Sequence, residues 1–266
     1  MLDQITPLIL TYNEAANIGR TLERLTWARE VVVVDSFSDD DTVNILSSFP
    51  RVRLVQRKFD THERQWNFGL KETDISTEWV MTMDADFVLT TELIEEIAHL
   101  QPRPNIRGYR APFVFCIDAR RLRCAICPPA TFLFRRDRAQ YFQHGHTQKL
   151  RLFGKIESLL TPILHDDRKP WSRWVESQER YALLEAQKLL DSSVASLDAA
   201  DRMRKLRVVA PCAMGLYCLI LRGGILDGWA GFYYAFQRMT AELMLSRHLI
   251  RNDFGLKRRT RVRGRS

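Results

Sequence analysis

Strand-like and helix-like segments alternate four times in the first hundred residues, and this alternation constrains the fold more than any other feature. The strand-like segments are apolar runs at residues 5–10, 31–34, 52–55 and 79–83. The first intervening segment places Ile18, Leu22 and Leu25 at helical spacing. This order predicts an α/β fold of the Rossmann-like type, a doubly wound and mostly parallel sheet. Ligands of such sheets bind at the carboxyl ends of the strands.

Residues at the ends of these segments predict where the helices begin. Asn13 has a side chain suited to cap the first helix, and Thr91 is predicted to cap a helix that runs to Leu100. A third helix is predicted over residues 61–73. Pro102 and Pro104 end the alternation, and residues 107–160 have the composition of irregular strands and loops.

The last hundred residues predict helices at a membrane surface. An amphipathic helix is predicted over residues 171–190. Residues 208–221 form an uncharged run of fourteen, which as a helix would span about 21 Å and fall short of a bilayer core of about 30 Å. Basic flanks and aromatic residues favour helices lying in a membrane interface, and packing on the first domain or in a dimer is the alternative. The predicted organisation is a domain over 1–165, a helical region over 166–250 and a basic tail over 251–266.

Charge and cysteine usage limit the partners and the compartment. The 266 residues carry a formal net charge of +8, and residues 251–266 hold +6 of it. Such a tail suits anionic membrane headgroups or nucleic acid, but it lacks the aromatic residues that nucleic-acid binding favours, so nucleic acid is only a remote alternative. Five cysteines without a disulfide framework predict a reducing compartment. Cys124 and Cys127 form an isolated CxxC pair that could serve a metal or redox site. The N-terminus has no secretory signal pattern.

Carboxylates follow three of the predicted strands. Asp84 and Asp86 end the fourth strand, and alternate positions of a strand share a face, so both can point at one spot. Hard cations such as Mg²⁺ or Mn²⁺ favour these oxygen ligands. Glu14 follows the first strand and Asp35 the second. The chain has no glycine-rich phosphate loop, so a metal on Asp84 and Asp86 would neutralise the diphosphate of any bound nucleotide.

Nearby polar residues offer contacts for the rest of a nucleotide. Asp35 could accept a hydrogen bond from a base N–H group. Asn13 or Ser38 could bond the base or the ribose.

Three stretches, residues 11–14, 34–42 and 83–86, resemble the markers of family 2 glycosyltransferases of the GT-A fold. The chain is most similar to the branch that contains lipopolysaccharide-core β-glucosyltransferases. The resemblance covers nearly all of residues 4–250, with softer matches at residues 145–148, 163–167, 180–181 and 226–228.

The resemblance implies inverting transfer of a hexose from a UDP-sugar, with Mg²⁺ or Mn²⁺ as cofactor. Nucleotide-binding roles are implied for Thr11, Asn13, Glu14, Asp35, Arg64, Asn67 and Asp84. Asp84 and Asp86 would hold the metal, with His146 or His165 as a third ligand.

A catalytic base is not evident, because this chain has Thr147 where relatives often have glutamate. An inverting transferase needs a carboxylate that deprotonates the acceptor hydroxyl. The candidates are Asp118, Asp137, Asp166 and Asp167. Alternatively the acceptor is already anionic, as for polyprenyl-phosphate glycosyltransferases. A basic stretch suits a phosphorylated core sugar or a lipid phosphate; it comprises Arg120, Arg121, Arg123, Arg135, Arg136 and Arg138.

These expectations combine into one functional prediction. The protein is expected to transfer a hexose from a UDP-sugar to a membrane-associated, anionic glycoconjugate, such as the lipopolysaccharide core or a similar cell-envelope glycan. It is expected to bind the cytoplasmic face of a bacterial inner membrane peripherally, without a transmembrane helix and without nucleic acid as a partner.

Overall fold

The computed structural model describes residues 1–144, 147–193 and 197–263, which divide into two compact units. The first unit comprises Met1–Arg121 and Ile126–Lys169, and the second comprises Leu122–Ala125 and Pro170–Ser266. The second unit therefore includes a short segment that the predicted boundary after residue 165 does not anticipate.

Strands dominate the first unit. In chain order they are β1 (Ile5–Thr11), β2 (Val31–Asp35), β3 (Val52–Gln56), β4 (Trp79–Asp84), β5 (Phe87–Val88), β6 (Ile106–Ala111), β7 (Phe113–Ile117), β8 (Arg120–Arg121), β9 (Ala130–Arg135), β10 (Gln140–His144), β11 (Thr147–Arg151), β12 (Lys155–Ser158) and β13 (Ile163–His165). The helices of this unit are α1 (Ile18–Glu23), α2 (Thr42–Ser47), α3 (His62–Lys71) and α4 (Thr91–Ala98).

The main sheet has seven strands in the order β12-β6-β9-β4-β1-β2-β3. The four strands predicted from the alternation, β1 to β4, pair in parallel. β9 runs antiparallel to both β4 and β6. Separate small sheets contain β5-β13-β7-β8 and β10-β11. The fold is therefore α/β with a mostly parallel central sheet, as predicted.

Alternate residues of the central strands build the two faces of the core. On one face, Ile9 of β1 and Met83 of β4 belong to the same cluster as Leu22 of α1. On the other face, Leu8 packs with Trp66 of α3. α3 approaches β1 closely: a Cβ on Gly69 would lie 2.9 Å from Leu8 side-chain atoms, so the position leaves no room for a larger side chain.

Two predicted helix starts are wrong. Asn13 does not cap α1, because its backbone adopts a left-handed conformation with φ of 56° and its amide bonds another loop; the helix begins at Ile18 after Asn17. Thr90, rather than Thr91, caps α4, and its Oγ1 accepts from the Leu93 N–H at 3.2 Å.

The second unit is helical. It contains α5 (Trp171–Asp191), α6 (Ala199–Arg204), α7 (Val209–Leu216) and α8 (Trp229–Arg263), with a π-helical turn at Tyr217–Leu221 and a 3₁₀ turn at Gly224–Asp227. Leu189 of α5 packs against Leu245 and Leu249 of α8. No helix in the described part of the chain is both long and apolar enough to cross a bilayer.

Candidate functional site

Asp35 orders the loop that follows β2. Its side chain is fully buried and accepts hydrogen bonds from Thr11 Oγ1 at 2.9 Å and from the Ser38 N–H at 2.9 Å. Gln56 Nε2 donates to the same carboxylate at 3.4 Å. The structure thus brings Thr11, Asp35 and Ser38 together at the carboxyl edge, as the sequence predicts. The hydrogen bonds among these three residues show that Asp35 orders the loop after β2, which the sequence did not predict.

Asn13 joins the loop after β1 to the loop after β2. Its Nδ2 donates to Asp39 Oδ1 at 2.6 Å, and its Oδ1 accepts from the Asp39 N–H at 2.9 Å. The Asn13 N–H donates to Ser38 Oγ at 2.9 Å. Two exposed rings, Tyr12 and Phe37, border these loops. Phe37 has φ of 61°, which is strained for a bulky side chain, and an exposed ring at this edge offers a face on which a nucleobase can stack.

Glu14 pairs with a lysine from the far end of the first unit. Its carboxylate accepts from Lys169 Nζ at 2.6 Å and from Asn17 Nδ2 at 2.8 Å. Burial raises the pKa of Glu14 to about 7, although the Lys169 ammonium opposes the shift; the nearby Asp86 charge adds to it.

The Glu14 pKa gives a testable pH dependence. Between pH 4.5 and 7 the folded protein keeps this carboxyl protonated while the unfolded chain ionises it, so stability falls as pH rises through that window. The expected loss from this group is about 3 kcal/mol. Glu14→Gln should flatten the decline in urea unfolding measured at pH 5 and pH 8. Glu72→Gln, an exposed glutamate beside α3, is the matched control, and equal slopes for wild type and Glu14→Gln would contradict the assignment.

Asp84 and Asp86 lie at the end of β4 in different environments. Asp84 is exposed by its surface area, yet the surrounding protein desolvates its carboxyl group. This desolvation, with the Asp86 charge, raises the pKa of Asp84 to about 6. Asp86 is buried, and its Oδ2 lies 3.1 Å from His165 Nε2. Burial favours the protonated form of Asp86, but the charge and hydrogen bond of His165 outweigh burial and lower its pKa.

His165 acts as a counter-ion to Asp86. Burial lowers its pKa, but the charge and hydrogen bond of Asp86 outweigh burial and raise it well above the usual value. The ring is further held between Phe87 and Phe115. A metal-binding histidine is neutral and uses a free ring nitrogen; in this structure Nε2 of His165 faces Asp86, and His165 as a third metal ligand stays a prediction. His146, the other predicted third ligand, lies outside the described residues.

One observation favours a divalent cation at Asp84 and Asp86. Asp86 Oδ1 is buried and has no hydrogen-bond partner among the described residues, which is costly for a carboxylate oxygen. Asp84 ends β4, two positions earlier in the chain, and is exposed. Among the described residues no group of three or more His, Cys, Asp or Glu side chains is arranged to hold a metal ion. Asp84 and Asp86 would supply carboxylate oxygens to such an ion, and a bound nucleotide or water could complete its coordination.

Two arginines and one backbone N–H group contact the carboxylate oxygens of Asp166. Its Oδ2 pairs with Arg20 Nη1 at 2.9 Å and with Arg168 Nη2 at 2.8 Å, and its Oδ1 accepts from the Ala119 N–H at 3.3 Å. Its own N–H donates to the Asp86 carbonyl at 3.1 Å. Burial favours the protonated form, but the arginines outweigh it and lower the pKa. Asp166 thus anchors the chain after β13 and is poorly placed to take a proton.

The other base candidates occupy different ends of the sheet. Asp137 follows β9, which runs against β4 so that Arg135 pairs with Trp79, and it bonds Arg107 Nη1 at 3.1 Å. It therefore lies about the length of β4, roughly 17–20 Å, from the Asp84 edge. Asp118 lies in the turn between β7 and β8, is exposed, and is 4.0 Å from Arg168 Nε. Asp118 is the accessible candidate near Asp166.

Arg64 and Asn67, the two residues of α3 with a predicted nucleotide-binding role, have different surroundings in the structure. Asn67 clamps β10, because its Nδ2 donates to the Tyr141 carbonyl at 2.8 Å and its Oδ1 accepts from the Tyr141 N–H at 2.9 Å. Arg64 is exposed on the first turn of α3. The neighbouring Gln65 donates to Ser36 Oγ at 3.1 Å, which places this turn beside the loop after β2. Arg64 is thus exposed near the carboxyl edge of the sheet, whereas the side-chain amide of Asn67 is bonded to the backbone of β10.

The predicted basic stretch does not form one patch. Arg135 lies 4.7 Å from the Trp79 ring and pairs with Glu78 at the start of β4. Arg136 and Arg138 follow it at that same end of the sheet. Arg120 and Arg121 form β8, beside the end of β7, at the other end of the first unit. The antiparallel direction of β9 causes this separation.

Sequence reasoning missed Lys169 and Arg20. Lys169 Nζ contacts Glu14 and lies 3.8 Å from Asp167 Oδ2, and its charge acts on both Asp84 and Asp86. Asp167 Oδ1, the fourth base candidate, accepts from Asn17 Nδ2. The run of two aspartates followed by Arg168 and Lys169 was a signal of local ion pairing.

The cysteines have the properties of ordinary thiols. All five are free. Burial raises the pKa of Cys116 to about 11 and that of Cys124 to about 12. At neutral pH these two thiols are protonated, and thiols in this form are weak nucleophiles and poor metal ligands.

Comparison with known proteins gives a family match over part of the chain. Residues 8–109 match the model of glycosyl transferase family 2. An uncharacterized glycosyltransferase of Rickettsia bellii is 36% identical over 109 residues, which cover 41% of this chain and 36% of the relative. One of Rickettsia felis is 32% identical over 111 residues, 41% of this chain and 38% of the relative. The chain thus matches little more than a third of the length of these curated relatives.

Solved structures show weaker likeness. Staphylococcus aureus TarS 1–349 in complex with UDP-GlcNAc has a TM-score of 0.46 at 14% identity, covering 94% of this chain and 92% of that one. Glucosyl-3-phosphoglycerate synthase of Mycobacterium tuberculosis, in complex with phosphoglyceric acid, has a TM-score of 0.49 at 15% identity, covering 74% and 82%. Likeness at this level does not bear on ligands. The sheet topology and the matched segment together show a GT-A-like α/β fold in which residues 8–109 match a family 2 glycosyl transferase domain.

Proposed function

We propose that the protein is an inverting glycosyltransferase that moves a hexose from a UDP-sugar to a membrane-associated, anionic glycoconjugate. The observation that carries this proposal is the carboxylate pair at the end of β4, where a buried Asp86 oxygen has no hydrogen-bond partner in the described part of the chain and Asp84 is exposed. The family match over residues 8–109 includes this pair and supports the same reading.

Asp84 and Asp86 would hold the divalent cation, Mg²⁺ or Mn²⁺. When bound, such an ion stabilises the negative charge that develops on a departing diphosphate. The protein's own residues hold this arrangement: His165 fixes the orientation of Asp86, and Lys169 places a positive charge near both carboxylates. The loops after β1 and β2, tied together through Asn13 and Asp39, present a rigid edge to the nucleoside.

The acceptor hydroxyl would lose its proton to Asp118. Of the candidates, Asp137 lies at the opposite end of the sheet, Asp166 is saturated by arginines and Asp167 is bonded to Asn17. Asp118 is exposed, and the adjacent Arg168 keeps a positive charge 4.0 Å away. An acceptor phosphate needs no base, so the polyprenyl-phosphate glycosyltransferase remains the second candidate. Paired assays with a lipid phosphate and with a lipopolysaccharide-core acceptor separate the two.

The proposed location is the cytoplasmic face of a bacterial inner membrane, where the protein would bind peripherally. The net charge of +6 within residues 251–266 supports binding to anionic headgroups. The lipopolysaccharide core or a similar cell-envelope glycan is the acceptor class that this location favours.

A thermal-shift experiment tests the donor and the cation together. UDP with Mn²⁺ at about 100 times its dissociation constant should stabilise the protein by about 2.7 kcal/mol and raise the Tm by roughly 5–10 °C. UDP alone and Mn²⁺ alone should each give a smaller shift, and ADP with Mn²⁺ serves as the matched nucleotide. Equal shifts with and without the cation would rule out the proposed metal-linked donor site.

A further inference from the structure

Exposed apolar side chains are concentrated in the second unit. Within the described part of the chain, twenty of the twenty-seven exposed large hydrophobic residues lie between Trp171 and Phe254. Single exposed residues of this kind are normal on protein surfaces, but a contiguous set marks an interaction surface. The longest regular arrangement of them follows α8.

Five of these residues lie along one side of α8, with the exposed Arg247 between the last two of them. Trp229, Phe232, Phe236, Leu243 and Phe254, here called the apolar stripe, are 49–63% exposed. At about 100° per residue their positions fall within an arc of roughly 60°, and at about 1.5 Å per residue they extend over some 37 Å. The stripe is therefore one narrow face of one helix.

α8 is apolar on two of its faces. Its buried face includes Tyr234, Leu245 and Leu249, the last two packed against α5. The apolar stripe is the second face, and it is open to solvent. Polar residues, among them Gln237 and Glu242, lie elsewhere on the helix, but a second apolar face that is open to solvent marks a surface for contact with protein or lipid.

The chain next to the stripe has the same character. The turn that precedes α8 exposes Leu221 and Leu226 by about three quarters of their surface. Asp227, the carboxylate of this turn, is directed at the backbone and accepts from the Arg123 and Cys124 N–H groups at 2.9 and 3.0 Å. Aromatic rings border the stripe, since Trp171 stacks on Phe236 with ring centroids 5.6 Å apart. Tryptophan rings of this kind favour the headgroup level of a bilayer.

We propose that the apolar stripe seats α8 in the surface of a bilayer that contains anionic lipids, with the helix lying parallel to the membrane plane. Charge complementarity identifies this occupant. α8 runs into the basic tail, and residues 251–266 carry +6. Anionic headgroups attract such a segment, and it lies on the same helix as the apolar stripe. The length of the stripe suits a helix in the interface, because its large residues would reach the acyl boundary along its whole length.

This inference deepens the membrane-associated acceptor of the proposed function, yet it can be tested without donor, metal or sugar transfer. The full chain is mixed with sucrose-loaded vesicles of phosphatidylcholine alone or with phosphatidylglycerol added, and bound protein is measured by sedimentation. We expect at least tenfold more bound protein with the anionic vesicles. The variant Phe232→Glu/Leu243→Glu should lose at least tenfold of that binding.

A matched variant controls for the added charge. Leu183→Glu/Leu184→Glu adds the same two charges at exposed leucines of α5, away from the stripe, and should retain binding within about twofold of wild type. Thermal melts verify folding of each variant. Phe232→Ser/Leu243→Ser replaces the glutamate pair if that pair unfolds, with the same expected loss.

Three results would overturn the proposal. The first is absence of wild-type binding to anionic vesicles, and the second is an equal loss in the control variant. The third is a concentration-dependent dimer in ultracentrifugation that the stripe variant abolishes while vesicle binding stays intact, which would assign the stripe to a second copy. Because no sugar transfer is measured, a failure of the donor or cation assignment leaves this test unaffected.

Discussion

Asp86→Asn is expected to reduce turnover of the UDP-sugar by at least about a thousandfold while the protein stays folded. Asparagine has the same shape but lacks the negative charge that a divalent cation requires. Among the residues that the structure describes, none donates a hydrogen bond to the buried Oδ1 of Asp86, so the substitution removes the oxygen proposed to bind the ion. UDP release from a panel of UDP-hexoses measures the effect, and circular dichroism verifies the fold.

Asp137→Asn is the matched control for this experiment. It makes the same chemical change in the same domain, at the opposite end of the sheet, on a carboxylate paired only at the surface with Arg107. Its turnover should equal that of wild type within about twofold. If Asp86→Asn kept a tenth or more of wild-type turnover, the assignment of cation and diphosphate to the end of β4 would be wrong.

Asp166→Ala is expected to lower the free energy of unfolding by about 3 kcal/mol. The substitution leaves two guanidinium groups, those of Arg20 and Arg168, without the carboxylate that both contact. It also leaves the Ala119 N–H without its acceptor. Both arginines keep about a third of their surface exposed, so water limits the loss to the lower part of the range for buried pairs. Urea denaturation measures the change.

Asp118→Ala provides the comparison, because it removes a carboxylate from the adjacent turn where the side chain is 69% exposed. Its stability should change by less than about 0.5 kcal/mol. Turnover with a hydroxyl acceptor should nevertheless fall, because Asp118 is the proposed base. A stable but inactive Asp166→Ala protein would reverse these roles and assign the proton transfer to Asp166.

The central sheet could be predicted because each of its first four strands is signalled locally. Val31–Val34 is too apolar and β-branched for anything but a buried strand, and the polar residues after it mark the edge where ligands bind. The presence of Asp35, Asp84 and Glu14 at one edge follows from parallel pairing alone. Pattern and topology thus predict that these carboxylates share one edge of the sheet, and the strand pairing agrees.

The pairing of the site residues could not be predicted, because it depends on contacts between distant segments. Asn13 has the side chain of a helix cap, but Asp39 offers its amide two hydrogen bonds and the tertiary contact prevails over the local preference. Asp137 is carried away from the site by the reversed direction of β9, which no local signal announces. His165 has the residue type of a metal ligand, and its bond to Asp86, 79 positions earlier in the chain, is a contact that the sequence does not announce.

Residues 165–169, at the end of β13 and just after it, determine when the site can form during synthesis. They complete the site through bonds that join residues far apart in the chain: His165 to Asp86 over 79 positions, and Lys169 to Glu14 over 155. Residues 8–109 leave the ribosome before these residues and hold the acidic strand ends without either partner. The carboxylates at these strand ends therefore repel one another, without His165 and Lys169 beside them, until about sixty further residues have been synthesised. The protein should therefore become able to bind its ligand late in folding, once residues 165–169 have contacted the strand ends. The first half of the chain alone should not bind it.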